Sequence, residues 1–277
     1  MLECSLSACS IAKALATIYA TMRNLFGVMP KLESKLDAFD PISLAEMDNV
    51  NLMNRVDTKF TFRLDQLPHI LEEMIPQYRL LEVNGVRASR YETLYFDNHR
   101  LDLYARHHSG KFTRYKMRYR KYVDSDLCFF EIKAKNNKGR TIKQRIEREA
   151  IRHEIEGESE KLLKKETPFS AADFKPIIWV NFTRLTFVSK SSPERLTIDV
   201  SLSYKNELME VSFPKLVIAE VKQDSSTSAS PFIKLMRNRK IWQGSMSKYC
   251  FGIVNLYPRV KMNLFKERVR QLRELAA

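Results

Sequence analysis

The segment from Arg114 to Arg120 alternates basic residues with apolar or aromatic ones, Arg-Tyr-Lys-Met-Arg-Tyr-Arg. Because successive side chains of a β-strand point to opposite faces, one face of this strand would carry four cations in a row. Such a row is repulsive unless something strongly anionic lies opposite it. The chemistry that this strand predicts is therefore the binding of a polyanion.

With this segment included, the alternation occurs in six strands, and in most of them the polar column is cationic. An ordinary antiparallel sheet with its charged face in water would explain any one of these strands. Six such strands, with mostly cationic polar columns and few neutralising carboxylates, instead favour a sheet rolled into a barrel, with its charge inside and its edges removed. We therefore predict an α+β fold, a closed antiparallel β-barrel or tunnel with flanking helices and a basic interior.

Composition agrees with this prediction. The 277 residues include 47 Lys and Arg against 33 Asp and Glu, a net charge of +14, which favours phosphate-rich partners or an anionic membrane surface. A hydrophobic share of 44% excludes a disordered basic tail. The four cysteines show no paired metal-binding spacing, which predicts a reducing, cytoplasmic setting without a disulfide framework.

The domain prediction is an N-terminal extension over residues 1–31, helical or poorly ordered, followed by a single tunnel domain over 32–277. Residues 5–22 are mostly small and apolar, but they lack the basic start of a signal peptide and are too interrupted for a membrane span.

The predicted elements of the chain are short and mostly strands. A short helix capped by Ser43 is predicted within 31–53, a short helix or loop at 158–166, and a mobile loop at 224–231. Further helices are predicted at 64–75, 232–242 and 258–275. Strands are predicted at 55–63, 77–84, 91–97, 112–122, 127–135, 140–149, 176–189, 194–203 and 214–222.

The few acidic residues in the basic columns could bind a divalent metal. Glu131 and Glu220 lie among cations, and carboxylate oxygens are suitable ligands for Mg²⁺ or Mn²⁺ that bridges phosphates. The alternative for both is a structural salt bridge. His107 and His108 are adjacent, which favours surface or loop positions over a metal pair.

Several segments, taken in order, resemble the VTC-type polyphosphate polymerase domain, a member of the triphosphate tunnel metalloenzymes. The resemblance covers about residues 32–257. It is carried by the segments 91–97 (YETLYFD), 107–111 (HHSGK), 114–120 (RYKMRYR), 130–133 (FEIK), 143–145 (KQR), 181–187 (NFTRLTF), 195–199 (RLTID), 219–222 (AEVK) and 247–249 (SKY).

The resemblance implies a basic tunnel in which a divalent metal and cations hold ATP while its γ-phosphoryl group passes to inorganic polyphosphate. It implies catalytic roles for Lys248, Arg195 and Arg184, with Glu220 as a ligand for Mn²⁺ or Mg²⁺, while Glu131 stays a metal candidate from its strand face alone. The implied phosphate-binding residues are Arg55, Lys59, Arg114, Lys116, Arg118, Lys133, Lys143, Arg145 and Lys222.

Two other readings stay open, a tunnel triphosphatase that hydrolyses triphosphate or nucleotides and a non-catalytic polyphosphate sensor. Cations on the first tunnel strand favour the polymerase branch, and a metal carboxylate argues against a sensor. No nucleic-acid motif is evident, so nucleic acid is not an expected partner. The compact chain resembles bacterial members of the family, and any coupling to transport would need an integral membrane partner supplied by another chain. The expected location is cytoplasmic.

Overall fold

The computed structural model describes residues 32, 34–48, 55–137, 140–224 and 230–277. The predicted extension over 1–31 lies outside the described residues, and so does most of the predicted loop, at 225–229. The description therefore covers the region that carries the basic strands.

The described residues form an antiparallel sheet with a short parallel annex. Its main path runs β2-β11-β9-β8-β4-β5-β6-β7, while β10 pairs with β9 and β3 pairs with both β8 and β1. The strands are β1 (Pro41–Ile42), β2 (Arg55–Arg63), β3 (Tyr78–Leu81), β4 (Ser89–Asp97), β5 (Arg114–Tyr122), β6 (Leu127–Lys135), β7 (Thr141–Arg148), β8 (Lys175–Ser189), β9 (Glu194–Lys205), β10 (Glu210–Phe213) and β11 (Leu216–Asp224).

Seven α-helices flank this sheet in the described part of the chain. They are α1 (Leu44–Asp48), α2 (Leu67–Met74), α3 (Asp102–His108), α4 (Glu158–Glu166), α5 (Pro231–Asn238), α6 (Lys248–Leu256) and α7 (Lys266–Ala276). The combination of an antiparallel sheet with flanking helices confirms the predicted α+β class.

The two faces of the sheet differ as the alternation predicts. On the outer face of β5, Met117 and Tyr119 are fully buried. Helices α2 and α5 cover the outer face of β2, β11 and β9, and α4 covers that of β5 and β6. Burial of this apolar face is the main driving force for the fold, at roughly 25 cal/mol for each Å² removed from water.

Helix α6 packs against the inner face, where it contacts β8, β9 and β11. Gly252 allows this close approach, since a Cβ there would lie 2.4 Å from Ile178 Cδ1 and from Tyr204 Cδ1. Ser247 caps the helix by accepting a hydrogen bond from the Cys250 amide at 3.2 Å. The first residues of α6 are thereby directed at the charged face.

The sheet is curved, but hydrogen bonds do not close it. Among the described residues no strand pairing joins the edge strands β2 and β7. Residues of β2 and β5 nevertheless line one cavity, and Lys133 of β6 lies within electrostatic range of Asp57 on β2. The charged face is therefore the concave one, and the ring of strands is incomplete.

Two helices lie where none was predicted, and two others start later than predicted. His107 and His108 belong to α3 and not to a strand or loop, and residues 248–256 form α6 where only the segment Ser247–Tyr249 had been noted. The predicted helix at 258–275 begins later, with a 3₁₀ turn at Asn263–Phe265 followed by α7. The predicted helix at 64–75 likewise starts as a 3₁₀ turn over Leu64–Gln66.

Candidate active site

Strand register brings the predicted site residues onto one concave surface. Arg118 lies opposite Glu131, Lys116 opposite Lys133, Lys59 opposite Glu220, and Arg184 opposite Asp199 in adjacent strands. The remaining predicted positions on this face are Arg55, Arg114, Lys143, Arg145, Arg195 and Lys222, and Lys248 joins them from α6.

Asp199 holds two of the predicted catalytic cations. Arg184 donates two hydrogen bonds to it, from Nε to Oδ1 at 2.6 Å and from Nη2 to Oδ2 at 2.9 Å, and Lys248 forms an ion pair with Oδ2. Burial raises the pKa of Asp199, but Arg184 and Lys248 outweigh it and lower that pKa to about 2. Lys248 also lies 4.7 Å from the centre of the Phe182 ring. The carboxylate is thus ionised, and it fixes both cations at the sheet surface.

Glu220 lies between two lysines on the concave face. Its Oε2 is 3.1 Å from Lys59 Nζ, and its Oε1 accepts a hydrogen bond from Lys222 Nζ at 2.5 Å. Its side chain remains 19% exposed. Burial alone would raise the pKa of Glu220, but Lys222 and Lys59 hold it well below its usual range. A permanently ionised, accessible carboxylate is what a hard metal ion requires.

Glu131 occupies a similar position on β6 but is 1% exposed. Arg118 contacts its Oε2 from Nε at 2.7 Å and from Nη2 at 2.6 Å, and Lys143 forms an ion pair with Oε1. Arg118 also donates to the Tyr95 hydroxyl at 2.8 Å. These contacts match the structural salt bridge that the sequence left open as the alternative, and the metal role of Glu131 stays a prediction.

A cavity of about 860 Å³ opens where β2 and β5 meet the segment before α6. We call it the mouth cavity. Its basic lining includes Lys59, Arg114 and Lys116, all of them predicted phosphate-binding residues. Lys116 donates to Ser247 Oγ at 3.0 Å, which ties the start of α6 to this wall. Burial and the nearby Lys116 and Arg114 lower the pKa of His107, so this lining residue is neutral.

The remaining predicted residues are more dispersed. Arg195 donates to the Met47 carbonyl at 3.1 Å, and Arg145 lies 4.5 Å from the Phe129 ring centre on the exposed edge strand β7. Lys133 is flanked in register by Lys116 and Lys143. Burial and Lys116 lower the pKa of Lys133 to about 8, although Glu220 and Asp57 act against this. Only the backbone of Arg55 is described, paired with Asp224.

The donors present fit a metal that is held mainly by its substrate. The described residues contain no group of three or more His, Cys, Asp or Glu side chains able to hold an ion alone. Mg²⁺ is commonly bound through one or two carboxylates together with phosphate oxygens and water. Glu220 satisfies that requirement, because it is ionised, partly exposed and on the face where phosphates would bind.

Sequence reasoning missed two residues that the geometry adds. Asp199 was noted as polar, but nothing local indicates that it pairs with Lys248, 49 positions away. Arg120 was seen in its strand without a role, yet it is 7% exposed and lies 5.5 and 5.7 Å from the Tyr91 and Phe182 ring centres. Its position in the alternating segment was the available signal.

The family model for the VTC domain matches residues 54–257. The chain belongs to the VTC domain family. This match covers every strand of the main sheet path and ends just after α6. VTC membership together with the basic concave face supports a triphosphate tunnel enzyme. No described helix has both the length and the apolar character needed to cross a membrane.

No curated protein matches the chain in sequence. Among solved structures, a Bacillus halodurans protein provisionally named an adenylate cyclase is 12% identical, with 74% of this chain and 97% of that chain covered and a TM-score of 0.46. The Hippeastrum protein HpAC1, whose dominant activity is that of a triphosphatase, is 13% identical, with coverages of 72% and 96% and a TM-score of 0.42. PH1819 from Pyrococcus horikoshii is 14% identical, with coverages of 73% and 98% and a TM-score of 0.41. These scores lie below 0.5, so the likeness says nothing about the activity of this chain.

Proposed function

We propose that this VTC domain is a metal-dependent polyphosphate polymerase that transfers the γ-phosphoryl group of ATP to a growing inorganic polyphosphate chain. The observation that carries the proposal is the pairing of Arg184 and Lys248 on Asp199 beside the cation-flanked carboxylate Glu220. The arrangement offers fixed positive charge for phosphates and one accessible anion for a metal. Phosphoryl transfer depends mainly on positioning and charge stabilisation of this kind.

The reaction needs two phosphate groups held in line. An oxygen of the terminal phosphate of the chain forms a bond to the γ-phosphorus, and the bond from that phosphorus to the β–γ bridging oxygen breaks, releasing ADP. The cations of β2, β5 and β8 would hold the two anions together against their repulsion. Lys248, fixed by Asp199, would neutralise charge that develops on the transferring group. A divalent ion on Glu220, when bound, would supply further charge neutralisation at the phosphate oxygens.

Lys248 provides the decisive test. Lys248→Ala should lower polymer synthesis by about 10²-fold or more, the scale of one lost transition-state contact, while ATP affinity changes little. Purified protein incubated with ATP and Mn²⁺ would be assayed for polymer on a gel, and nucleotide affinity would be measured on the same preparation. Lys234→Ala, which removes an exposed lysine from the outer helix α5, is the matched control.

Two results would contradict the proposal in different ways. Wild-type protein that releases only orthophosphate from ATP would identify water as the acceptor, and the triphosphatase reading would replace polymerase. Wild-type protein that binds polyphosphate without any turnover would favour the sensor. A Lys248→Ala variant with normal polymer yield would remove Lys248 from the mechanism.

A further inference from the structure

A second cavity of about 1340 Å³ lies outside the concave face, between α3, the loop at 169–174 and the segment before α7. We call it the exterior groove. Its basic lining consists of Arg100, Arg106, Lys111, Arg259 and Lys261. All five side chains are solvent-exposed, and no ion pair to a described carboxylate is found for any of them. Two acids, Asp102 and Asp173, also line the groove, so its net charge is positive.

The exterior groove adjoins the mouth cavity along two stretches of chain, one on α3 and one before α7. On α3, Arg106 and His108 line the groove, while His107 between them lines the mouth cavity. Lys261 lines the groove, and Leu264, three residues later, lines the mouth cavity. His108 Nε2 accepts a hydrogen bond from the Leu264 amide at 3.2 Å, which holds these two stretches together. The two cavities therefore share walls, and their basic linings are neighbours.

Building on the proposed function, we propose that the exterior groove binds the part of an inorganic polyphosphate chain that extends beyond the mouth cavity. A linear polyphosphate carries a charge on each unit and no bases, so exposed cations along a groove match its chemistry. Single-stranded nucleic acid would need aromatic platforms for stacking. The Phe169 and Phe174 rings in this groove instead pack on each other, at 5.2 Å between centroids, and against the core. The groove thus offers charge rather than stacking surfaces.

This assignment predicts a difference between short and long ligands. Tripolyphosphate should bind on the concave face and leave the groove empty, whereas a long chain should contact both. Each additional phosphate contact releases counterions, so long-chain binding should be tighter and should weaken more steeply with added salt.

The experiment uses the full chain with Lys111→Glu and Lys261→Glu combined, one change on each side of the groove. Affinity for long-chain inorganic polyphosphate should fall by about tenfold or more, and its salt dependence should become shallower. Affinity for tripolyphosphate should change by less than about twofold, because neither side chain lines the mouth cavity and salt screens the charge of exposed side chains that do not contact the ligand. Lys234→Glu with Arg237→Glu on α5 makes the same change in net charge elsewhere and is the control.

The outcomes separate the groove from the tunnel. If wild-type protein fails to bind tripolyphosphate, the proposed function fails, whatever the groove does. If tripolyphosphate binds but the groove and control variants lose long-chain affinity equally, the groove assignment is wrong. It is also wrong if single-stranded DNA of equal charge binds as tightly and suffers the same loss. If the charge reversal impairs folding, the milder Lys111→Gln and Lys261→Gln pair replaces it. That pair should still weaken long-chain binding, by a smaller factor, and leave tripolyphosphate binding almost unchanged.

Discussion

Glu131 and Glu220 start from the same sequence pattern and reach different environments. Each lies on a strand face dominated by cations, and each is bonded by two of them. Glu131 is 1% exposed and is contacted by two nitrogens of one arginine, whereas Glu220 is 19% exposed and contacts two flexible lysines. The comparison shows that one carboxylate is placed to neutralise buried charge, while the other stays accessible to a ligand.

The difference arises from neighbouring strands rather than from the local sequence. Glu131 lies between β5 and β7, and its register partners Arg118 and Arg145 are both cations. Glu220 lies between β2 and β9, opposite Lys59 on one side and the small polar Thr197 on the other. A planar guanidinium matches a carboxylate with two hydrogen-bond donors, while a lysine ammonium acts as a point charge. The arginine partner therefore closes the site around Glu131.

The largest effect should follow from Glu131→Gln. Removal of one partner from a buried ion pair leaves an uncompensated charge, which typically costs about 3–5 kcal/mol. Here Arg118 and Lys143 would both lose their carboxylate partner. Chemical denaturation of wild-type and variant protein would measure the free energy of unfolding. A variant that unfolds at the wild-type denaturant concentration would show that Glu131 is not a structural neutraliser, and its predicted metal-binding role would then be the one left to test.

A smaller change in stability and a larger one in function are expected for Glu220→Gln. The change is nearly isosteric, and the partly exposed lysines can be hydrated when their partner is lost, so the fold should survive. Metal-dependent turnover should fall by about 10²-fold or more if Glu220 holds the ion. Turnover would be measured across a Mn²⁺ titration on the same protein. Wild-type activity at saturating metal would remove Glu220 from the site. The two carboxylates would then differ in exposure but not in metal binding.

The sequence was sufficient to predict both faces of the sheet. Side chains in a strand have a period of two, so the alternation in Arg114–Arg120 alone sorts cations from the apolar residues of the core. It also placed Lys116, Arg118 and their neighbours on one face. Pairing between distant strands cannot be read in this way, because register depends on the whole sheet. Arg118 on its own was expected to be a repulsive cation, yet in the structure it is paired with Glu131.

Helix α6 shows why part of the site escaped sequence reasoning. Its residues Tyr249–Leu256 are apolar on nearly all sides, contain aromatic and β-branched residues and include Gly252, all of which weaken a helix prediction. The helix is stabilised by tertiary packing, since all of these residues except Asn255 are buried. The position of Lys248 follows from that packing and from Asp199, which lies on another strand.

Lys133 lies on the same concave face as both carboxylates, and its titration gives the prediction with the smallest expected effect. It is two residues from Glu131 on the same strand face, and it also feels the charge of Glu220 across the concave surface. Burial and Lys116 lower its pKa to about 8, below the ordinary lysine value of about 10.4. In the free protein Lys133 therefore loses its charge as the pH rises through about 8. A bound phosphate favours the charged form, so binding near pH 8 should take up protons, and affinity should fall as the pH increases.

Calorimetric titration of tripolyphosphate in two buffers of different ionisation enthalpy would measure this proton uptake. Lys133→Arg keeps the charge but does not titrate in this range, so it should bind with less proton uptake and a flatter pH dependence above about 8. Comparison of the two proteins cancels the titration of the ligand itself. Burial raises the pKa of Tyr95, but Arg118, Arg120 and Lys116 outweigh it and lower that pKa to about 8. Tyr95 therefore titrates in the same range, and Tyr95→Phe serves as the second control. If proton uptake is the same in wild-type and Lys133→Arg protein, the phosphate does not reach Lys133, and ligand binding is confined to the region around Glu220.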